Sequence, residues 1–422
     1  MRPPADLVVE TDATFRVHAS LYTDPALFDA EMDRIFGSAW VYLCHESELP
    51  NPGDYRTSVI GRQPVIVSRD QDGEVHVLFN RCMHRGAVVC RADRGHSNYF
   101  RCQYHNWVYD SRGALQGMAQ PSGYPDDFDR SGLSLVKPPR VGTYRGLIFA
   151  SLAEDGESLQ ERLDDVRGYI DAWCDRSPLG RVTLPRGNHR YSYPGNWKLQ
   201  LENGVDGYHG NYVHESFSQI LERSGERRRS DVTRARNEVG GVNSAKGLSH
   251  GDGLLERGSG MLGTIDFSQF AGYRERLAQA HGADRVDDIL TQRNVLVWPN
   301  LFLFESHIRV VRPVSVNETT VDNHPTMLQG APDEVNTARL REHERFFGPA
   351  SFGATDDLEI FVHVQTGVQA SSAQWLDMSR GMHREEQRDG EIVGHSTDET
   401  PQRSMYRAWR RAMARTNREA VA

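Results

Sequence analysis

Cysteine is scarce in this chain: Cys44, Cys82, Cys90, Cys102 and Cys174 are the whole complement among 422 residues. So small and odd a number does not suit a disulfide framework and fits a reducing compartment. Cys44, Cys90 and Cys174 have no partner at a meaningful spacing and read as packed, inert thiols. Long apolar runs are missing too. Nothing approaches the ~18 consecutive residues that span a bilayer, and the opening MRPPADLVVETDATFRV lacks the basic-then-apolar order of a signal peptide. A cytoplasmic protein without membrane contact is expected. Basic stretches are also absent: 49 Lys and Arg stand against 58 Asp and Glu, a formal charge of −9, with no stripe that invites nucleic acid. No internal repeat is visible. GSGMLG at 258–263 has the letters of Gly-x-Gly-x-x-Gly but no preceding strand in a βαβ unit, so a nicotinamide cofactor is not expected to bind here.

What is present is an ordinary soluble composition, 25% charged and 38% hydrophobic, in a chain long enough for two domains. Residues 24–37 predict a helix, with Asp24 as cap, Pro25 in the first turn, an apolar stripe of Phe28, Met32, Ile35 and Phe36, and Gly37 as stop. PVIVSRDQDGEVHVLFN predicts a hairpin around Asp72-Gly73, and WVYDSRGALQG another around Gly113. GLIFASL closes this strand-rich section, and SLQERLDDVRGYIDAWC begins a helical pattern. Gly225 to Gly263 is rich in Gly, Arg and Ser and reads as a long mobile loop or lid, not a packed element. NVLVW, LFLFE, HIRVVRPVSV and TTVDNHPTML then predict successive antiparallel strands. RSMYRAWRRAMARTNREA predicts an amphipathic helix with Met405, Trp409 and Met413 on one face.

Against this background two pairs of ligand residues stand out. RCMHRG places Cys82 and His84 two apart, and RCQYHNW follows with Cys102 and His105. Both pairs lie on loops joined to hairpins. Zinc accepts two thiolates and two imidazoles, but its motifs usually pair Cys with Cys and His with His. One of each on each loop suits a two-iron, two-sulfide cluster in which one iron takes both thiolates and the other both imidazoles; the imidazoles raise the potential to about −150 to +300 mV. CMHRG…CQYHNW resembles the Rieske [2Fe–2S] signature. The resemblance implies Cys82 and Cys102 on one iron, and His84 and His105 on the other. Trp107 matches the family, as packing or as a shield for the cluster, whereas Asn106 departs from the more frequent glycine.

A carrier of electrons alone would need only this section. Further on, NWKLQLENGVDGYHGNYVHESF offers His209 and His214 in an Asp-x2-His-x4-His array that begins at Asp206. A ferrous ion that activates dioxygen is commonly held by two His and one carboxylate on one face. Residues five apart on a regular helix lie about 140° apart, so the segment must be distorted, and a π-type turn near Gly210 is expected. Asn196-Trp197-Lys198 and Glu202-Asn203 precede this array. Together with the cluster motif, in the same order over most of the chain, they resemble the large (alpha) subunit of Rieske non-haem iron aromatic ring-hydroxylating dioxygenases, most like the members that act on benzoate-like aromatic acids.

That resemblance implies an α+β fold. A small all-β Rieske domain, residues 40–155, would be inserted in a catalytic domain of residues 1–39 and 156–422, where helices pack a curved antiparallel sheet of the helix-grip type. The third ligand to a mononuclear Fe(II) is implied in FGPASFGATDDLEIFVHVQTG as Asp357, or as Asp356 if the register slips by one; His363 is left as a packing or hydrogen-bonding residue. Asp206 and Asn203 are implied in the catalytic site, Asp206 linking His209 to His105 of the partner subunit, with an intrachain hydrogen bond as the plainer alternative. The implied reaction is hydroxylation of an aromatic, acidic substrate with O2 and electrons from a reductase or ferredoxin, as cis-dihydroxylation, in a homotrimer or an α3β3 assembly with a small β subunit. Monooxygenation or dealkylation on the same scaffold, and an electron carrier lacking the mononuclear iron, are the competing readings. Arg309 and Arg312 would steer an acidic substrate only if one turned inward; a strand arginine is otherwise expected to face solvent.

Overall fold

The computed structural model describes residues 2–225, 244–257, 264–351 and 353–415. The chain divides into two compact units, Phe36–Leu159 and Met1–Ile35 with Gln160–Ala422.

The Phe36–Leu159 unit is built from short antiparallel strands in three small sheets. Its two predicted hairpins form by the same turn chemistry. In the first, Gln63–Arg69 pairs with Val75–Phe79, and the Asp70 carboxylate accepts from the backbone N–H groups of Asp72 and Glu74, both at 2.9 Å. In the second, Val108–Asp110 pairs with Leu115–Gly117, and Asp110 accepts from Arg112 and Ala114, again at 2.9 Å. Each turn ends in a glycine at φ 88°, Gly73 and Gly113, a backbone angle that costs other residues energy. Behind the hairpins lies an apolar core that includes Ile66, Leu78, Phe100 and Tyr109 and takes in both Cys82 and Cys102.

The other unit carries a nine-stranded antiparallel sheet among the described residues. From one edge it runs His189–Tyr193, Glu318–Pro325, His307–Ser315, Leu301–Leu303, Gln292–Val297, Gly253–Arg257, Ser244–Gly247, Glu391–His395 and Glu386–Arg388. Two of these strands correct the reading of Gly225–Gly263 as an unpacked loop: Ser244–Gly247 and Gly253–Arg257 are interior strands of the sheet and mostly buried. Their glycines reflect close packing, not mobility. A Cβ on Gly247 would meet the Ser404 side chain, and one on Gly253 would lie 2.8 Å from Pro401 Cβ, because the helix Thr400–Ala414 rests directly on these strands. Residues 226–243 and 258–263 of that predicted loop, GSGMLG among them, fall outside the described residues.

The N-terminal helix forms as Pro25–Glu31 with Asp24 accepting from the Ala26 N–H at 2.8 Å, and it continues as a π-helix, Met32–Phe36. Its Glu31 is fully buried and accepts from Lys198 Nζ at 2.7 Å, Trp197 Nε1 at 2.9 Å and Trp409 Nε1 at 2.7 Å. One carboxylate thereby ties the N-terminal helix, the helix Trp197–Gly204 and the C-terminal helix together, with its charge paired and its lone pairs met. Met405, Trp409 and Met413 form the buried face of the last helix as the sequence predicts. Among the described residues no helix is long and apolar enough to cross a membrane.

Candidate functional site

Cys82 and His84 lie on one loop, Cys102 and His105 on another, and the two loops share a hydrogen-bond pattern. Cys82 N donates to Ala87 O at 2.8 Å and Gly86 N to Cys82 O at 2.9 Å; Cys102 N donates to Trp107 O at 2.8 Å and Asn106 N to Cys102 O at 2.9 Å. Gly86 and Asn106 therefore occupy equivalent places, and both have positive φ, 73° and 58°. Asparagine is one of the few residues besides glycine that visits this region, and here its side-chain oxygen accepts from Arg101 Nη1 at 3.1 Å. That accounts for the departure from glycine. Asn106→Ala is expected to cost about 1–2 kcal/mol and Asn106→Gly to be tolerated, as read from the temperature at which visible cluster absorption bleaches.

The rings of His84 and His105 approach to 4.6 Å between centroids at 74°. The Nδ1 atoms of both are buried without a hydrogen-bond partner among the described residues, a costly condition for polar atoms that bonds to a metal relieve. Cys82 and Cys102 are buried free thiols. Two thiols beside two unmet imidazole nitrogens fit a Rieske [2Fe–2S] cluster. Trp107 stacks on His84 at 5.0 Å and 6° and is buried, so it packs against that ring. Tyr109 OH lies 3.3 Å from Cys82 Sγ; burial and the neighbouring thiol push its pKa up, so it stays a hydrogen-bond donor. Desolvation and then the Arg85 guanidinium lower His105 below the usual imidazole range, favouring the neutral form that binds metal.

The second site grows from the helix Trp197–Gly204, capped by Asn196, whose side chain accepts from Lys198 N at 3.2 Å. This helix lies close on the sheet, since a Cβ on Gly204 would come within 2.5 Å of the Phe302 ring. After a turn through Asp206 and His209 comes a one-turn helix, Gly210–Val213, and then a break: His214 has φ −94° and ψ 31°, and a new helix runs Glu215–Arg223. Distortion was expected as a π-type turn near Gly210; the chain instead ends one helix at His214 and starts another, which turns His214 back toward His209. Their ring centroids are 5.3 Å apart.

Asp357, near the start of the helix Ala354–Gly367, completes the group. Its Oδ1 lies 3.5 Å from His209 Nε2 and 3.4 Å from His214 Nε2, and the three ligand atoms all fall within 4.8 Å of one another. Asp356 sits outside this group: it accepts from Ser216 Oγ at 3.1 Å and lies 3.8 Å from His214 Nδ1, the other side of the ring. Asn203 Nδ2 donates to Asp357 Oδ1 at 3.1 Å and is 3.3 Å from His209 Nε2. Asp206 Oδ2 is 3.0 Å from His209 Nδ1, and its Oδ1 accepts from Tyr208 N at 2.6 Å. Burial works to raise the Asp206 pKa, but His209 and two backbone N–H groups outweigh it and hold the carboxyl below its ordinary range. An ionised Asp206 fixes the Nδ1–H tautomer of His209 and presents the Nε2 lone pair to the group. Two imidazoles and a carboxylate fit a mononuclear ferrous ion. His363 pairs with Glu359 at 3.1 Å on an exposed helix face and has no part in this group.

About 510 Å³ of open space adjoins these residues, walled by Leu255, Phe304, Phe346 and Phe347, with Asn294 and Arg309 among the polar lining. Here the expectation of a solvent-exposed arginine is corrected. Arg309 does not face solvent: it is 3% exposed, donates from Nε to Asn323 Oδ1 at 3.1 Å, and lies over the Phe304 ring at 4.5 Å. No carboxylate pairs with it among the described residues. Arg312 is also turned away from solvent and pairs with Asp322 at 2.8 Å.

The Rieske [2Fe-2S] domain profile matches residues 39–132, and that of the ring hydroxylating alpha subunit catalytic domain matches residues 182–415. The chain is 38% identical to the 2-halobenzoate 1,2-dioxygenase large subunit of Burkholderia cepacia, covering 87% of this chain and 80% of that one. It is 36% identical to the anthranilate 1,2-dioxygenase large subunit of Acinetobacter baylyi, covering 88% and 82%. A solved structure of naphthalene 1,2-dioxygenase with indole in the active site superposes with TM-score 0.86 at 25% identity, over 98% of this chain and 96% of that one. Cluster domain and catalytic domain in one chain define a Rieske non-haem iron oxygenase. The chain belongs to the large (alpha) subunits of the aromatic ring-hydroxylating dioxygenases. Its cofactors are a Rieske [2Fe–2S] cluster and a mononuclear iron, its electron donor is a reductase or ferredoxin, and its family assembles as α3 or α3β3.

Proposed function

We propose that this oxygenase subunit cis-dihydroxylates an aromatic acid in the cytoplasm, through a Rieske domain of residues 40–155 set into a catalytic domain of residues 1–39 and 156–422. The observation that carries the acidic substrate is Arg309, a buried guanidinium without a carboxylate partner among the described residues, in the wall of the cavity beside His209, His214 and Asp357. Burying an unpaired charge is costly, and a substrate carboxylate returns the missing partner as a bidentate contact. Relatives named for 2-halobenzoate and anthranilate support the same chemistry. Five free, buried cysteines support a reducing compartment.

Cys82, Cys102, His84 and His105 hold the cluster; His209, His214 and Asp357 hold the iron. When bound, the cluster supplies electrons singly and the ferrous ion activates dioxygen beside the ring, so the protein needs no general base to start ring attack. Asn203 steadies Asp357 and His209 by its amide. Asp206 orients His209 and, as an ionised acceptor near the surface, connects it to His105 of the partner subunit. Phe304, Phe346 and Phe347 offer aromatic surface in the cavity wall against which the substrate ring packs.

The test is reconstitution with a reductase, NADH and ¹⁸O2, offering a benzoate-type acid and its neutral amide. Both label atoms are expected in one product molecule; a single label would mean monooxygenation and sink the dihydroxylation. Arg309→Gln is expected to lose roughly 2–5 kcal/mol toward the acid, at least about 30-fold in KM, with little change for the amide. Equal losses on both would remove Arg309 from substrate recognition.

A further inference from the structure

His189, His343 and Glu344 form a second set of two imidazoles and one carboxylate, separate from His209, His214 and Asp357, with ligand atoms all within 4.8 Å of one another. His189 begins the edge strand His189–Tyr193. His343 and Glu344 begin a five-residue π-helix, His343–Phe347, that continues the helix Asp333–Glu342. Such wide turns are rare and recur at functional sites. His189 Nε2 is 2.9 Å from Glu344 Oε1, and the His189 and His343 rings stack at 5.3 Å and 25°. Exposure is graded: Glu344 is exposed, His189 half-buried and His343 0% exposed.

An independent observation points to a ligand. Both ring nitrogens of His343 are buried with no hydrogen-bond partner among the described residues. A neutral imidazole always presents one N–H and one lone pair, and native interiors rarely leave both unmet. Its ring neighbours, His307 at 4.8 Å and Phe347 at 6.2 Å, are contacts between ring faces and edges.

We propose that His189, His343 and Glu344 bind a divalent transition metal, Zn²⁺ foremost, which ties the edge strand to the π-helix. Three protein ligands with a solvent-facing fourth position is an arrangement zinc adopts. The donor set, two imidazoles and one carboxylate, offers too few oxygens to hold Mg²⁺ or Ca²⁺. It leaves a metal that imidazole nitrogen binds strongly, and zinc outranks ferrous iron in that respect. The same π-helix carries Phe346 and Phe347, so the ion would brace the aromatic wall of the substrate cavity.

Holoenzyme in metal-free buffer is titrated with ZnSO4 and desalted, and zinc, iron and acid-labile sulfide are measured per chain. The expected result is one zinc per chain with iron and sulfide unchanged, and a raised Tm. Glu344→Gln, His189→Gln and His343→Gln should each weaken this zinc at least tenfold without loss of iron. Glu344→Gln alters only an exposed side chain and decides the matter if His343→Gln fails to fold. No retained zinc, zinc taken up one for one against iron, or equal uptake by Glu344→Gln and the parent would overturn the site.

Discussion

Asp357→Ala is expected to abolish turnover while the protein keeps its visible cluster spectrum, with iron falling from about three to about two atoms per chain and both labile sulfides retained. The argument rests on position. Asp357 Oδ1 is the carboxylate oxygen that faces both His209 Nε2 and His214 Nε2, at 3.5 and 3.4 Å, and removing it leaves two neutral imidazoles to hold a dication. Asn203 cannot substitute, because the amide nitrogen that points into the group is a donor. Asp356→Ala is the control one residue away. It removes a partner of Ser216 and a neighbour of His214 Nδ1, so iron is expected to stay near the parent content and activity to fall only modestly. If iron left with Asp356 and stayed without Asp357, the ligand assignment would be off by one.

The second large effect is expected at Asp206. Asp206→Ala should keep iron, sulfide and the cluster spectrum, and still lose about 100-fold in turnover, the upper end for losing a residue that supports a metal ligand. The carboxylate does two things in the proposed mechanism. It holds the Nδ1–H of His209 at 3.0 Å, and it offers the charged acceptor through which electrons arrive from His105 of the partner subunit. Stopped-flow measurements separate the two roles. Dithionite should reduce the cluster of the variant at the parent rate, but reoxidation by O2 with substrate present should slow by the same factor as turnover. Fast reoxidation with slow product formation would leave only the orienting role, and parent-like turnover would remove Asp206 from the mechanism.

Much of this was legible because it is local. The Cys/His pairs needed only their own loops, and the hairpin turns at Asp72-Gly73 and Gly113 announce themselves in a few residues. The cap at Asp24 and the apolar stripe of the last helix were legible for the same reason. Glycine was ambiguous: in Gly73 and Gly113 it marked turns, but in Gly247 and Gly253 the same residue marked a helix pressed onto a strand, and the composition of the segment pointed to a loop. Nothing local distinguishes a glycine that needs positive φ from one that needs an absent side chain.

The amino-acid sequence alone determined the ligand types, their pairing in two loops, the family and the kind of chemistry, since thiol, imidazole and carboxylate at short spacing are properties of the chain itself. Tertiary structure decided the rest. It broke the helix at His214 so that residues five apart meet, set the oxygen of Asp357 and not that of Asp356 beside both Nε2 atoms, and turned Arg309 into the cavity wall where an exposed arginine was expected. It also brought His189 to His343 across 154 residues of chain. Each of these depends on which distant element packs against which, and packing energy is shared among contacts that no short stretch of sequence contains.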